Sequence, residues 1–371
     1  MPTRVIRIQS EKDVAPAAEE GAKALRKGKL VGFPTETVYG VGALATAEEA
    51  MDRLRELKDR PVRPFSVHVG RPEDVRRYVK DLPDSAARLV RRAWPGPLTL
   101  LLPTGGAFAD GKLRRREGLH GCLCHRNVIG LRCPDEPVAA ALLGKVSLPV
   151  VAPSANPAGR PSPRSGRDVL DVLDGRIDLL LDAGPTRYGK DSTIVRCTPK
   201  GWQVVREGVL SEADVARRVT RTLLFVCTGN TCRSAMAEGI ARKLLADRAG
   251  CRPAKLPEKG FEVRSAGLIG GGRPAPPEAV AAARRLGADI SGHRSRRLTR
   301  ELIHDADVVF CMTAGHVQDV LRTAPASADK VRRLDPRGDV QDPIGGDEDV
   351  YRRAAEQIEK AVRAALDKGL P

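Results

Sequence analysis

The chain has 371 residues, enough for two or three ordinary domains, and 41% of them are hydrophobic, so real cores can form. Aromatics are only 3%, so those cores must be built mainly from Val, Leu, Ala and Ile. The net charge of +16 either draws the chain toward phosphate-rich partners or reflects arginines on ordinary solvated faces.

No run reaches the roughly eighteen apolar residues of a membrane span, and the opening MPTRVIRIQSEKDV lacks the apolar centre of a secretion signal. The expectation is a cytoplasmic protein with no membrane partner. The eight cysteines are too scattered for a disulfide framework, which points to reduced thiols, one of them catalytic.

In chain order, residues 29–44 (KLVGFPTETVYGVGAL) read as a buried strand running into a turn punctuated by Pro and Gly. Amphipathic helical stretches fall at 47–58, 88–93, 235–245 and 350–366. Residues 105–126 (GGAFADGKLRRREGLHGCLCHR) read as an irregular basic insertion. SEADVARR at 211–218 has a serine cap followed by an acidic residue, a helix start. RTLLFV at 221–226 is a short apolar strand ending on a small polar loop. This alternation predicts α/β architecture in both halves, with domains at 1–215 and 221–371 and no Pro- or Gly-rich linker between them.

The first half carries an ordered set of motifs: PTETVYG (34–40), KDRP (58–61), SVHV (66–69), WPGPLTLLL (94–102), VAPSANPAGRPSP (151–163), LLDAGPTRYGKDSTIV (180–195) and VVREGVLS (204–211). Hydroxyl and amide donors at strand ends, with Lys and Arg converging on them, are the components of an anion site. SVHV reads as a strand that exposes His68. Cys122-x-Cys124-His125 is too compact for a metal site and lacks a second ligand pair, so no metal is expected.

In this order the motifs resemble the YrdC family of threonylcarbamoyl-AMP synthases over about 200 residues. The resemblance implies a twisted α/β sheet domain that joins L-threonine, bicarbonate and ATP and releases pyrophosphate. A partner tRNA-modification machinery would then transfer the threonylcarbamoyl group to an adenosine of tRNA. It implies that Lys58, Arg60, Ser154, Asn156, Ser162 and Arg206 hold the nucleotide, with Mg²⁺ on the ATP phosphates. It implies that Thr35, His68, Arg132 and Ser192 hold threonine and the carbamate intermediate. The sequence departs from the family pattern in the PVRPF spacing after KDRP, in the basic stretch 111–126, and in KDST where Glu-Ser-Thr is usual. The alternative is a module that keeps the fold and binds RNA or nucleotide without synthesis.

In the second half, LLFVCTGNTCRS (223–234) delivers Cys227 to the end of an apolar strand, and the helical AMAEGIARKLLA follows. Backbone N–H groups of such a loop and of the helix start converge on an anion. Thr228, Gly229, Asn230, Thr231 and Cys232 form the loop; Gly229 lets it turn, and Asn230 tolerates a left-handed conformation. These donors favour a Cys227 thiolate as nucleophile, and Arg233 clamps two phosphoryl oxygens. Ser234 is placed to donate to the thiolate. Cys232 is either a loop-filling residue or a reversible disulfide partner of Cys227.

Residues 221–367 resemble the low-molecular-weight protein-tyrosine-phosphatase family, with VRSAG (263–267) and ADVVFCM (306–312) as further family segments. The resemblance implies a doubly wound domain with a central parallel sheet, a phosphocysteine intermediate and no cofactor. It makes Asp342 of GDVQDPIGG the general acid, in preference to the competing Asp335-Pro336 pair. Thr231 resembles the protein-arginine phosphatases of that family, so the expected substrate is a phosphorylated protein carrying phosphoarginine or phosphotyrosine. A third reading has both sites degenerate and the chain acting as a scaffold; the intact Cys227, Arg233 and Asp342 set argues against it.

Overall fold

Alternation of apolar side chains decides which face of each strand is buried, and it does so separately in two units, Met1–Val219 and Thr220–Pro371. The computed structural model describes residues 2–59 and 64–367.

The first unit is built on a mixed sheet. Its strands run in the order Arg4–Arg7, Leu179–Asp182, Val31–Phe33, Gly40–Leu44, Val150–Val151, Val67–His68, Val128–Arg132, Leu98–Pro103, Thr193–Thr198 and Gly201–Arg206, with Cys124–His125 added to Val128–Arg132. Val31, Phe33, Leu179 and Leu181 pack in one core with the helices Glu11–Arg26 and Pro137–Gly144. Further along the sheet, Leu98, Leu100, Leu102, Ile129, Leu131 and Val195 pack in a second core with Glu48–Leu57, Asp84–Ala93 and Glu212–Val219. The residues between them, Thr99, Leu101, Gly130, Arg132, Ile194 and Arg196, project the other way and line open cavities.

Residues 105–126 are not irregular. They contain the helices Gly111–Arg114 and Leu119–Leu123 and the strand Cys124–His125. Phe108, Leu113, Leu119 and Leu123 are buried, and these apolar positions fold the segment inward while its arginines stay outside. Asp110 caps the first helix, accepting from the Lys112 N–H at 2.7 Å.

The second unit has four parallel strands in the order Phe261–Gly267, Arg221–Cys227, Val308–Cys311 and Val331–Arg333. Leu223 and Phe225 face the helices Arg233–Arg248, Pro277–Arg285 and Glu348–Asp367. Leu224 and Val226 face Arg300–Asp305 and Ala314–Thr323 on the other side. This is a doubly wound sheet. Its first strand lies between the second and third, so a crevice opens where that strand ends, at Cys227. Among the described residues no helix is long and apolar enough to cross a membrane.

Candidate functional site

In the first unit a cavity of about 200 Å³ gathers Lys58, His68, Arg132, Ser154, Ser192 and Arg206. Strand register explains much of this convergence. His68 pairs with Arg132, Arg132 with Thr99, and Thr99 with Ile194, so one rung of the sheet carries all four.

Arg132 is 5% exposed. Its Nη2 donates to Thr37 Oγ1 at 2.6 Å, to Glu36 Oε1 at 2.9 Å and to Thr35 Oγ1 at 3.3 Å. The paired Glu36 offsets the cost of burying the cation. Among the described residues its buried Nε has no hydrogen-bond partner, and the Arg132 side chain lines the cavity. Thr35 belongs to this site through Arg132 and is itself buried.

His68 is buried in the cavity wall rather than exposed on its strand. Burial pushes its imidazole down to about 3, and the neighbouring Arg132 guanidinium adds to the effect. The ring is therefore neutral at physiological pH.

Lys58 Nζ reaches the Asn156 carbonyl at 2.7 Å, the Ser154 carbonyl and Asn156 Oδ1 at 3.0 Å each, and Ser154 Oγ at 3.4 Å. The ammonium thus pins the Ser/Asn loop to the cavity edge. Arg206 Nη2 donates to the Ser192 carbonyl at 2.8 Å, and its Nη1 lies 3.5 Å from Asp191 Oδ2. The turn after Arg206 closes tightly because position 208 is glycine: a Cβ there would stand 2.2 Å from the Asp191 carbonyl oxygen. Ser162 donates to Asp191 Oδ1 at 2.9 Å and does not line the cavity. Arg60 and the PVR stretch after it lie outside the described residues.

A second cavity, of about 580 Å³, shares Phe65, Ser66 and Ile194 with the first. Leu101, Val128, Gly130 and Val205 give it apolar walls, and His125, Arg126 and Arg196 give it a basic rim. Of these residues the sequence reading named only His125, as a rejected metal ligand, and it assigned none of them to a ligand site. Among the described residues no group of three or more His, Cys, Asp or Glu side chains is arranged to hold a metal.

In the second unit the loop after Cys227 is held by a chain of oriented hydrogen bonds. The Arg296 N–H donates to Asn230 Oδ1 at 2.8 Å, which fixes the amide. Asn230 Nδ2 then donates to Ser265 Oγ at 2.8 Å and to Ser234 Oγ at 2.9 Å. Ser265 Oγ in turn donates to Glu238 Oε2 at 2.6 Å. Ser234 accepts from the amide, so its O–H is left for Cys227 Sγ, 2.9 Å away. The Asn230 N–H adds a second donor to that sulfur at 3.2 Å. Asn230 holds this arrangement with φ +54, the left-handed conformation its residue type tolerates.

Arg233 is 5% exposed and forms an ion pair with Asp342, whose side chain is 43% exposed. Its Nη1 donates to the Val340 carbonyl at 3.3 Å. Asp335 has a different environment. It is buried, accepts from the Arg337 backbone and guanidinium and from Gln357, and its carboxyl is held down to about 2, first by the Arg337 hydrogen bond. That carboxylate is committed to its own turn. Cys232 turns its thiol toward the Tyr351 hydroxyl at 3.5 Å, and Thr231 Oγ1 lies 3.5 Å from the same sulfur.

Four supporting residues escaped the sequence reading. His316 meets Thr228 Oγ1 through Nε2 at 2.9 Å, and its imidazole is pushed down by burial and then by Arg233. His293 Nε2 meets the Asn230 carbonyl at 2.7 Å. Ser265 and Glu238 complete the set. Ser265 stood in the recognised VRSAG segment, whereas the histidines lie in loop and helix stretches with no local signal.

Comparison with known proteins agrees with this division. Residues 23–208 match the family described as Telomere recombination, which groups the Sua5, YciO and YrdC proteins. Residues 222–370 match the family described as Low molecular weight phosphotyrosine protein phosphatase. The chain belongs to the first family through its first unit and to the second family through its second.

A threonylcarbamoyl-AMP synthase of Bacillus subtilis is 36% identical over 201 residues, covering 54% of this chain and 56% of that protein. A Pyrococcus abyssi Sua5 complexed with L-threonine shares the fold at TM-score 0.50 and 24% identity, covering 71% of this chain and 92% of that one. An arginine phosphatase of Geobacillus stearothermophilus is 33% identical with TM-score 0.35, covering 40% of this chain and 92% of that one. The chain spans about half the length of the first curated relatives it matches.

Proposed function

We propose that the chain is a bifunctional enzyme, a threonylcarbamoyl-AMP synthase in residues 1–215 joined to a cysteine-dependent protein phosphatase in residues 221–371. For the first activity, the observation that carries the reading is one cavity lined by the buried Arg132, a neutral His68, Lys58 and Arg206. Arg132 takes the threonine carboxylate. His68, being uncharged, leaves the amino group free to combine with bicarbonate, giving the N-carboxylate and water. A carbamate oxygen then attacks the α-phosphorus of ATP, and pyrophosphate leaves.

Lys58, Arg60 and Arg206 neutralise charge on the phosphates, Ser154, Asn156 and Ser192 position them and the carbamate, and Ser162 supports the nucleotide side through Asp191, the partner of Arg206. The larger, apolar cavity beside the smaller one takes the nucleoside. Magnesium, in this reading, arrives on the ATP phosphates as part of the substrate. The product goes to a tRNA-modification machinery in the cytoplasm. Pyrophosphate release that requires both threonine and bicarbonate is the test; nucleotide or RNA binding without that release would make the first unit a binding module.

For the second activity, the carrying observation is the Asn230–Ser234 chain that aims two donors at Cys227 Sγ. The Cys227 thiolate attacks phosphorus while Arg233 holds two phosphoryl oxygens, and Asp342 protonates the leaving group. Asp342 then takes a proton from the water that hydrolyses the phosphocysteine, and the Ser234 O–H receives the departing thiolate. The preferred substrate is phosphoarginine in proteins. Thr231 places a hydroxyl where a guanidinium accepts polar company, and Ile344-Gly345-Gly346 offers no aromatic wall for a phosphotyrosine ring.

A missing partner for a buried polar group costs roughly 1–3 kcal/mol, about one to two powers of ten in selectivity. Thr231→Ile is expected to shift the ratio of kcat/KM for matched phosphoarginine and phosphotyrosine peptides toward phosphotyrosine. An unchanged ratio, or a wild type that favours phosphotyrosine, removes the substrate claim and leaves the phosphatase.

A further inference from the structure

We propose that Arg273, with Ile269 and Ile344, forms a docking rim outside the phosphate cradle that selects phosphorylated polypeptides carrying an acidic residue next to the phosphorylated one. The proposal rests on reading the second unit as a protein phosphatase. Arg273 sits over the loop: its Nη2 lies 3.6 Å from where a Cβ on Gly229 would stand. Its backbone is fixed, with the N–H donating to Ser295 Oγ at 2.9 Å and the carbonyl accepting from the Ser295 N–H at 2.8 Å. The same Ser295 hydroxyl takes the Gly271 N–H at 3.2 Å, and Ser295 is buried. The cation is thus carried on a pinned loop, yet it is exposed and has no acidic partner among the described residues.

The cradle does not use this charge. Cys227 is 3% and Arg233 5% exposed, so the phosphoryl group is taken up below the level of Arg273. The guanidinium, exposed beside the loop, is therefore open to the chain that carries the phosphoryl group. Two exposed apolar side chains stand on segments that hydrogen-bond to the same site. Ile269 is 64% exposed and Ile344 71% exposed, and among the described residues of this unit they are the large hydrophobics left in solvent. Each is anchored to the site: the Ile269 N–H donates to the Thr228 carbonyl at 3.0 Å, and the Ile344 N–H to Asp342 Oδ1 at 3.3 Å. Exposed apolar groups beside an unpaired cation suit a polypeptide with carbon-rich side chains and one nearby carboxylate.

The experiment uses the full chain and peptides with one phosphorylated residue, in phosphoarginine and phosphotyrosine series, each with Asp, Ala or Arg beside it. Within each series the wild type is expected to favour Asp over Ala by about two- to fivefold in kcat/KM, the span of one exposed ion pair. Salt should shrink that ratio. Arg273→Ala should bring it to about one, and Arg273→Glu should invert it in favour of Arg. Equal rates on Asp and Ala peptides in the wild type, or a preference that survives Arg273→Ala, would overturn the proposal. Hydrolysis of p-nitrophenyl phosphate by the wild type, lost in Cys227→Ser, is read alongside. Its absence would count against the phosphatase reading itself rather than against the rim.

Discussion

Arg132 and His68 share one rung of the first unit's sheet, and the cation helps keep the imidazole uncharged. An unfolded chain takes up a proton on this histidine near its ordinary value of 6.5, whereas the folded chain refuses it until about 3. Between those values the unfolded state binds more protons, so stability is expected to fall as pH drops from 6.5 toward 3. The slope from this one group is at most about 1.4 kcal/mol per pH unit. Both tryptophans, Trp94 and Trp202, lie in the first unit, so tryptophan fluorescence during urea unfolding reports on that unit. His68→Gln should remove this part of the slope; an unchanged slope would mean that His68 is charged in the folded state. In the second unit, Asn230→Ala strips partners from Ser234, Ser265 and the Arg296 N–H and puts alanine at φ +54. Aryl-phosphate kcat/KM should fall by about 10- to 100-fold, from roughly 1.4–3 kcal/mol of lost orientation. A fall of less than threefold would mean that Ser234 does not depend on this amide.

The strand–loop–helix element at 221–248 was legible because all its parts are contiguous: an apolar strand, a small polar loop with Asn, and a helix start. What presses on that loop from elsewhere was not legible. Gly267 ends the neighbouring strand, and a Cβ there would lie 2.8 Å from the Asn230 nitrogen, the Gly229 carbonyl carbon and the Thr228 oxygen. Gly267→Ala should therefore displace the phosphate loop and cost about 1–3 kcal/mol of overpacking. Aryl-phosphate turnover should drop with it, whereas wild-type turnover would show that the loop can shift without consequence. The surroundings of Asp335 were legible only in part: Arg337 stands two residues away in the sequence, whereas the fold is needed to bring Gln357 to the same carboxylate. The helix Glu11–Arg26 was hidden by Pro16 and by a buried face of Ala17, Ala18, Gly21 and Ala22, which carries little hydrophobic contrast. The segment 105–126 hid two short helices because its arginines outweigh Leu113 and Leu119 in any local average.

At the scale of the whole molecule, the proposed function gives one chain two chemistries, each confined to its own unit. The ordered motifs of the first half and the phosphate loop of the second were both readable, because each family spaces its polar residues along strands that the sequence marks clearly. The cavity walls at Leu101 and Val205 were not, because apolar residues on a strand do not announce whether they face a core or a ligand. The most direct measurement assays both activities on the same purified full-length preparations, wild type, Lys58→Ala and Cys227→Ser. One assay follows pyrophosphate release dependent on threonine and bicarbonate, and the other follows p-nitrophenyl phosphate hydrolysis. Lys58→Ala should lose the first and keep the second, Cys227→Ser should do the reverse, and the wild type should perform both. A wild type that releases no pyrophosphate with threonine and bicarbonate, or a Cys227→Ser chain that still hydrolyses the aryl phosphate, would contradict the account.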